Sequence, residues 1–293
     1  MIATPPLADH VSPVDRLLRE AEALLAAAGI HSPSFEAKVI LGHVLGLKPS
    51  RLAAHLTLTS EAAQRVRRLL ARRANREPLQ YVTGDTEFLG LRLKCRPGVF
   101  IPRPETELLV EAVVQRLRRR PRPPLVADVG CGNGAIALGL AALLPPARVV
   151  ATDVSPQALQ LAAENAESLG LSDRVTFLQG SFIEPLRLAG LLHRLDAIVC
   201  NPPYVPSGQI DGLAPEVAVH EPREALDGGP DGLSFYRRLV ADLAASDRPL
   251  LVALEAGVGQ APAVRGMLRN VPRLLNVRII KDYSDIQRIV LAE

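Results

Sequence analysis

From Leu125 to the C-terminus, short apolar runs alternate with helix-patterned stretches, and no other feature of the 293-residue chain limits its fold so strongly. The runs read "LVADVG", "RVVATDV", "RVTFLQG", "LDAIVCN" and "PLLVALEAG", with helical spacing over 136–144, 156–169, 235–245 and 260–270 separating most of them. Strands joined through helices lie parallel in one sheet with helices on both faces. Two closing β-rich segments, "LNVRIIKDY" and "QRIVLAE", can pair as an antiparallel hairpin. The expected class is therefore α/β with a mainly parallel sheet.

The N-terminal part is different. From Ser12 to about Glu77 the apolar spacing is helical, as in Leu17, Leu18, Ala21, Leu24, Leu25 and Ala28, with Ser12-Pro13 as a start and Gly29 as a stop. Further helices are predicted over 34–45 and 60–74, making a small all-α bundle. The segment "LQYVTGDTEFLGLRLKCRPGVFIPRP" carries β-formers and glycines, the pattern of a hairpin between two domains. A helix over 105–119 then runs into "RRRPRPPL", whose arginines read most simply as a solvated helix end.

Composition narrows the function classes. Aromatic residues are 3% with no Trp, so platforms for stacking bases are scarce. A net charge of +3 permits weak attraction to acidic partners without requiring a nucleic acid. Cys95, Cys131 and Cys200 are widely spaced and suggest neither a disulfide framework nor a zinc site, and no metal is expected. The six histidines, His10, His31, His43, His55, His193 and His220, lack ligand spacing. No secretory signal or membrane-length apolar stretch is visible, so a cytoplasmic protein without membrane association is expected.

The first strand runs into "DVGCGNGAIALGLA". Gly130, Gly132 and Gly134 let the backbone approach a ligand, and the helix that follows presents free N–H groups. Asp153, ending the second strand in "ATDVS", stands where a carboxylate accepts hydrogen bonds from both hydroxyls of a ribose. Asp128 could orient the loop or meet an ammonium group through water; helix capping is the plain alternative for both acids. These features point to a nucleoside ligand, open between S-adenosylmethionine and a nicotinamide dinucleotide.

The fourth strand ends in "CNPPYV". Pro202 and Pro203 lack N–H groups and hold Asn201 and Pro202 extended, so no helix forms there. The Asn201 side-chain oxygen and the Pro202 carbonyl can then accept both hydrogens of one planar NH2 group, with Tyr204 packed on its plane. An amide or aryl NH2 is a poor nucleophile because its lone pair is delocalised. Two fixed acceptors turn the nitrogen toward an electrophile and stabilise the developing positive charge. The methyl of a sulfonium is the matching electrophile.

Together, "DVGCGNG", "ATDVS" and "NPPYV" resemble the class I S-adenosylmethionine-dependent methyltransferases that modify NH2 groups. "REPLQYVTGDTEFLGLRLKCRPGVFIPRPETELLVE" and "EPREALDGGPDGLSFYRRL" narrow the resemblance to the HemK/PrmC family, the protein-(glutamine-N5) methyltransferases of peptide chain release factors. The resemblance implies a helical release-factor-binding domain over 1–77, a β-hairpin linker over 78–103 and a Rossmann-like methyltransferase domain over 104–293. It implies that Gly130, Cys131, Gly132, Asn133 and Gly134 hold the methionine part of S-adenosyl-L-methionine, that Asp153 holds the ribose and that Phe182 lies beside the adenine. Asn201 borders cofactor and substrate, and with Pro202, Pro203 and Tyr204 holds the glutamine amide, Asn201 and Pro202 being the catalytic pair. "FIPRPETE", with Phe100, Arg103 and Glu105, borders the same pocket without a definite role.

The sequence departs from the family pattern at Ser181, where an acid near the adenine is usual. Some loss of cofactor affinity with retained activity is expected. A release factor is the expected partner, with no stable nucleic-acid binding and a monomeric enzyme. The rival readings are a nucleic-acid exocyclic-amine methyltransferase, which the modest charge and few aromatics disfavour, and a catalytically silent cofactor-binding scaffold, which the intact Asn201 disfavours. A nicotinamide oxidoreductase lacks an evident catalytic acid beside the glycine loop. Neither Cys131 nor Cys200 is given a nucleophilic role, since methyl transfer can go directly to nitrogen.

Overall fold

The computed structural model describes residues 12–52, 56–244 and 250–293, and the chain divides into two compact units, Met1–Gly84 and Asp85–Glu293. His10 and His55 lie outside the described residues.

In the first unit, α1 (Pro13–Ala27), α2 (Pro33–Leu45) and α3 (Ser60–Ala74) pack against one another. The α1 stripe Val14, Leu17, Ala21 and Leu25 is buried, the three-to-four spacing that places side chains on one helix face. Ser12 caps it by accepting from Asp15 N at 3.1 Å, and Gly29 turns the chain away at φ 72°. Arg73, on α3, turns inward and forms a buried ion pair with Glu36. The stretch Leu79–Thr83, whose β-formers suggested extended chain, is a short helix, α4. Tyr81 and Val82 are buried, and Gly84 ends the turn at φ 85°. Burial of these side chains and a left-handed glycine cap override the local strand preference.

The second unit opens with the hairpin β1 (Asp85–Phe88) and β2 (Leu91–Lys94), then α5 (Thr106–Leu117). After it come β3 (Leu125–Val129), α6 (Ala135–Leu143), β4 (Arg148–Asp153), α7 (Pro156–Ser168) and β5 (Val175–Gln179). They are followed by α8 (Glu184–Leu188), β6 (Ala197–Cys200), α9 (Pro215–Ala218) and α10 (Ser234–Ala244). The last elements are β7 (Leu251–Glu255), α11 (Ala261–Arg269), β8 (Val277–Lys281) and β9 (Gln287–Ala292).

Seven strands form one sheet in the order β5-β4-β3-β6-β7-β9-β8. The first five are parallel, while β9 runs antiparallel to β7 and β8 antiparallel to β9. The period of two along each strand sends alternate side chains to two cores. Ala197, Val199, Leu251 and Ala253 join α5, α6 and α7 on one face. Ile198, Cys200, Val252 and Leu254 join α8, α10 and α11 on the other.

The arginine-rich exit from α5 is more than a solvated end. Arg120 and Arg122 each reach Asp196 Oδ1 at 2.6 Å, and the other oxygen of this buried carboxylate accepts from Leu125 N at 2.9 Å. A buried anion so close to a strand start needs both cations. Among the described residues, no helix is long and apolar enough to cross a membrane.

Candidate active site

The strand order reverses between β3 and β6. Their parallel pairing, Val126 with Ala197 through Asp128 with Val199, carries the following loops to the same edge of the sheet. Chain connections leave that edge in opposite directions, which opens a crevice at the switch point. A cavity of about 460 Å³ fills it, a volume suited to a small-molecule ligand. Its wall takes Gly130, Cys131, Gly132 and Asn133 from the end of β3, Asp153 from β4, Ser181 and Phe182 from beyond β5, and Asn201, Pro202, Pro203 and Tyr204 from beyond β6. Segments more than 70 positions apart in the chain thus share one wall.

The glycine loop is held by backbone. Gly130 N and Cys131 N both donate to Thr152 O, at 2.8 and 2.9 Å. Gly130 and Gly132 have φ values of 75° and 55°, which side chains disfavour, and a Cβ on either would meet no protein atom within 4 Å. Gly134 differs: it is not among the residues of the cavity wall, and a Cβ there would come 3.1 Å from Ala162 Cβ. Its role is to let α6 approach α7. The Asn133 side chain turns to the hairpin, donating to Lys94 O at 3.2 Å. Asn165 completes this latch, accepting from Lys94 N at 2.8 Å and donating to Asn133 O at 2.9 Å.

Two acids support the loop. Asp153 accepts from Gly132 N through Oδ2 and from Ser155 N through Oδ1, both at 2.9 Å, and burial raises its pKa. It orders the loop while remaining on the cavity wall. Asp128 is fully buried and accepts from Ala137 N at 2.9 Å, in the first turn of α6. Burial pushes its pKa up to about 8. Its Oδ1 is buried without a protein hydrogen-bond partner. Asp128 thus caps α6, while the hydrogen bond that orients the loop belongs to Asp153.

The β6 end is held by side chains and close packing. Gln260 donates from Nε2 to Tyr204 O at 2.8 Å, and its Oε1 accepts from Gly257 N at 3.1 Å. Main chain crowds this corner: a Cβ on Gly232 would lie 2.3 Å from Tyr204 O, and one on Gly228 2.8 Å from Tyr204 Cα. Asn201 donates from Nδ2 to Thr106 Oγ1 at 3.1 Å, and Thr106 Oγ1 donates to Glu255 Oε2 at 2.6 Å. Phe182, itself at φ 53°, stacks on Phe235 with ring centroids 4.6 Å apart.

Phe100 and Arg103 also line the cavity. The Arg103 guanidinium lies 4.8 Å over the Phe100 ring and pairs with buried Glu221, which also accepts from Ile101 N. Glu105 stands just before α5 and is not among the wall residues. Sequence reasoning overlooked Thr106, Glu221, Glu255 and Gln260. A glutamate inside the apolar run "LLVALEAG" and a glutamine closing "GVGQ" were the available signals.

The chemistry on offer is limited. Burial drives the Cys131 and Cys200 thiols well above their ordinary value and the Tyr204 phenol up to about 12, so all three are neutral at physiological pH. No cluster of metal-ligating side chains occurs among the described residues. The wall combines positive-φ glycines, a carboxylate, stacked aromatics and the Asn201 amide beside two prolines. That set suits a nucleoside bearing a charged chain, placed beside a planar nitrogen.

Comparison with known proteins agrees. The PrmC N-terminal domain family matches residues 16–84, and the methyltransferase small domain family matches 90–232. A release factor glutamine methyltransferase of Moorella thermoacetica is 49% identical over 278 residues, 94% of this chain and 96% of that protein. One from Deinococcus radiodurans is 42% identical over 94% of this chain and 96% of its own length. The solved hMettl16 catalytic domain in complex with a MAT2A 3'UTR hairpin superposes with a TM-score of 0.55 at 17% identity, over 81% of this chain and 83% of that one, a likeness of fold alone. With near-complete coverage at such identity, the chain belongs to the release factor glutamine methyltransferase family.

Proposed function

We propose that this protein transfers the methyl group of S-adenosyl-L-methionine to the side-chain amide nitrogen of the glutamine in the Gly-Gly-Gln loop of peptide chain release factors. The observation that carries the reading is one cavity walled by the glycine loop and by Asn201 to Tyr204, which follow neighbouring parallel strands. The relatives' shared name supplies the substrate class.

The residues present fit the cofactor. Gly130 and Gly132 leave room that a Cβ would narrow, and the loop's backbone receives the methionine part. Asp153 takes the ribose hydroxyls, and Phe182 packs beside the adenine. Bound there, the cofactor supplies an electrophilic methyl on a positively charged sulfur.

The chain's own residues prepare the nucleophile. Asn201 Oδ1 and the Pro202 carbonyl accept the two hydrogens of the glutamine NH2, while Pro203 keeps the backbone extended and Tyr204 packs against the amide plane. Holding both hydrogens points the nitrogen at the methyl, and the acceptors become stronger partners as positive charge grows. A C–N bond forms as the C–S bond breaks, and the nitrogen then gives one proton to water. No cysteine takes part, since both nearby thiols are held neutral.

Mass spectrometry of a release factor incubated with enzyme and cofactor tests the reading. One added methyl on the Gly-Gly-Gln glutamine is expected. Label transferred only to DNA or RNA offered in parallel would overturn it in favour of an exocyclic-amine methyltransferase.

A further inference from the structure

We propose that Thr106 and Glu255 are positioning residues that fix which way round the Asn201 amide stands, so that its oxygen and not its NH2 group faces the incoming substrate nitrogen. This rests on the amide-methylation reading above. The two ends of an asparagine amide have nearly the same shape, and a half-turn exchanges an acceptor for a donor. An Asn201 turned the wrong way would present hydrogens to hydrogens.

The fold brings the three residues together from distant parts of the chain. Cys200 pairs with Leu254 across β6 and β7, so Asn201, just past the end of β6, and Glu255, the last residue of β7, each follow that pair directly. Thr106 is the first residue of α5 and packs at the same end of the sheet. Thr106 is 2% and Glu255 1% exposed, so water does not compete for their hydrogen bonds.

The direction of the chain follows from counting protons. An ionised carboxylate only accepts, so the single hydroxyl proton of Thr106 goes to Glu255 Oε2. What Thr106 Oγ1 then offers to Asn201 is a lone pair, and only the Asn201 NH2 end can meet it. Asn201 Oδ1 is thereby directed away from Thr106 and left for the cavity.

Protonating Glu255 would reverse the logic. A neutral carboxyl can donate to Thr106, whose hydroxyl proton is then released toward Asn201 Oδ1, and the amide turns over. Burial raises the Glu255 pKa to about 7. Thr106, Arg288 and Arg103 favour the ionised form and Glu105 opposes it. Cys200, Tyr204 and Tyr236 also face Glu255, and burial keeps each of them protonated across this range.

The test compares Thr106→Val, Thr106→Ser, Glu255→Gln and Asn201→Ala in methyl transfer to a purified release factor, with cofactor affinity by titration calorimetry. Asn201→Ala is expected to lower kcat by about 100-fold or more. Thr106→Val, which removes the hydroxyl at constant shape, is expected to lower kcat about 10- to 50-fold with KM and cofactor affinity within about threefold. Thr106→Ser restores most of the rate, and adding Thr106→Val to Asn201→Ala costs nothing further. Wild-type kcat falls as pH drops below about 7, whereas Glu255→Gln, which does not titrate, is flat from about pH 6 to 8. Thr106→Val at wild-type turnover beside an impaired Asn201→Ala would overturn the positioning role alone; Asn201→Ala at wild-type turnover would overturn the underlying reading. Should Thr106→Val fail to fold, the Glu255→Gln profile decides: a fall below pH 7 matching the wild type rejects the proposal.

Discussion

The two walls of the cavity are built from different materials. The glycine wall presents main chain, held by other main chain: two N–H groups share Thr152 O, and Gly132 N is fixed by Asp153. The β6 wall presents one side-chain amide whose direction depends on other side chains, Thr106 and Glu255. A backbone wall tolerates changes of neighbouring side chains but not a change of conformational freedom. A side-chain wall can lose its function through a single hydroxyl while the fold persists.

Four substitutions sharpen or break that contrast. The largest effect is expected at Gly132, where alanine must hold φ near 55°, at a cost of about 1–2 kcal/mol, and carries its methyl on the cavity wall. Calorimetry with S-adenosylmethionine should show affinity falling about tenfold or more. Gly134→Ala, by contrast, strikes Ala162 and should lower the melting temperature more than Gly132→Ala does. Equal losses of affinity and of stability in both variants would erase the division between loop and support.

Beneath the glycine wall, Asp128 sets a pH dependence of stability. Its carboxyl holds a proton up to about pH 8 in the folded protein, whereas the unfolded group ionises near 3.8. Between those values the folded state binds the extra proton, so stability declines as pH rises, at up to about 1.4 kcal/mol per unit. Glu255 adds a slope of the same sign up to about 7. Urea unfolding of Asp128→Asn at several pH values should show a much shallower decline. An unchanged slope would mean that Asp128 is ionised in the folded chain.

The smallest effect is expected at Ser181, which lines the cavity beside Phe182. Ser181→Asp should tighten cofactor binding by about three- to tenfold, through a stronger acceptor for an adenine amino group, with kcat little altered. Tighter binding by the unsubstituted protein would remove the adenine from this corner.

Much of this arrangement was legible in the chain. The apolar runs 125–129 and 197–200 and the helices between strands followed from patterning, and Gly130, Gly132 and the prolines at 202 and 203 announce their backbone constraints locally. What escaped were partners joined only by the order of strands. Thr106 and Glu255 meet across 149 positions, and Gln260 reaches Tyr204 across 56. Leu79–Thr83 was misread for the opposite reason, since its β-formers signal local preference and its helix depends on what Tyr81 and Val82 bury against.

The packing around Tyr204 restricts how such a site can diversify. Because its neighbours at Gly228 and Gly232 crowd it with main chain, a larger residue at either place has nowhere to retreat. Altering the floor of the cavity therefore means rerouting the polypeptide, a step no single codon change accomplishes. Leu213, Val217 and Pro222, also on the wall, contribute side chains that can be exchanged one at a time, so adaptation to a differently shaped guest is cheapest at that rim.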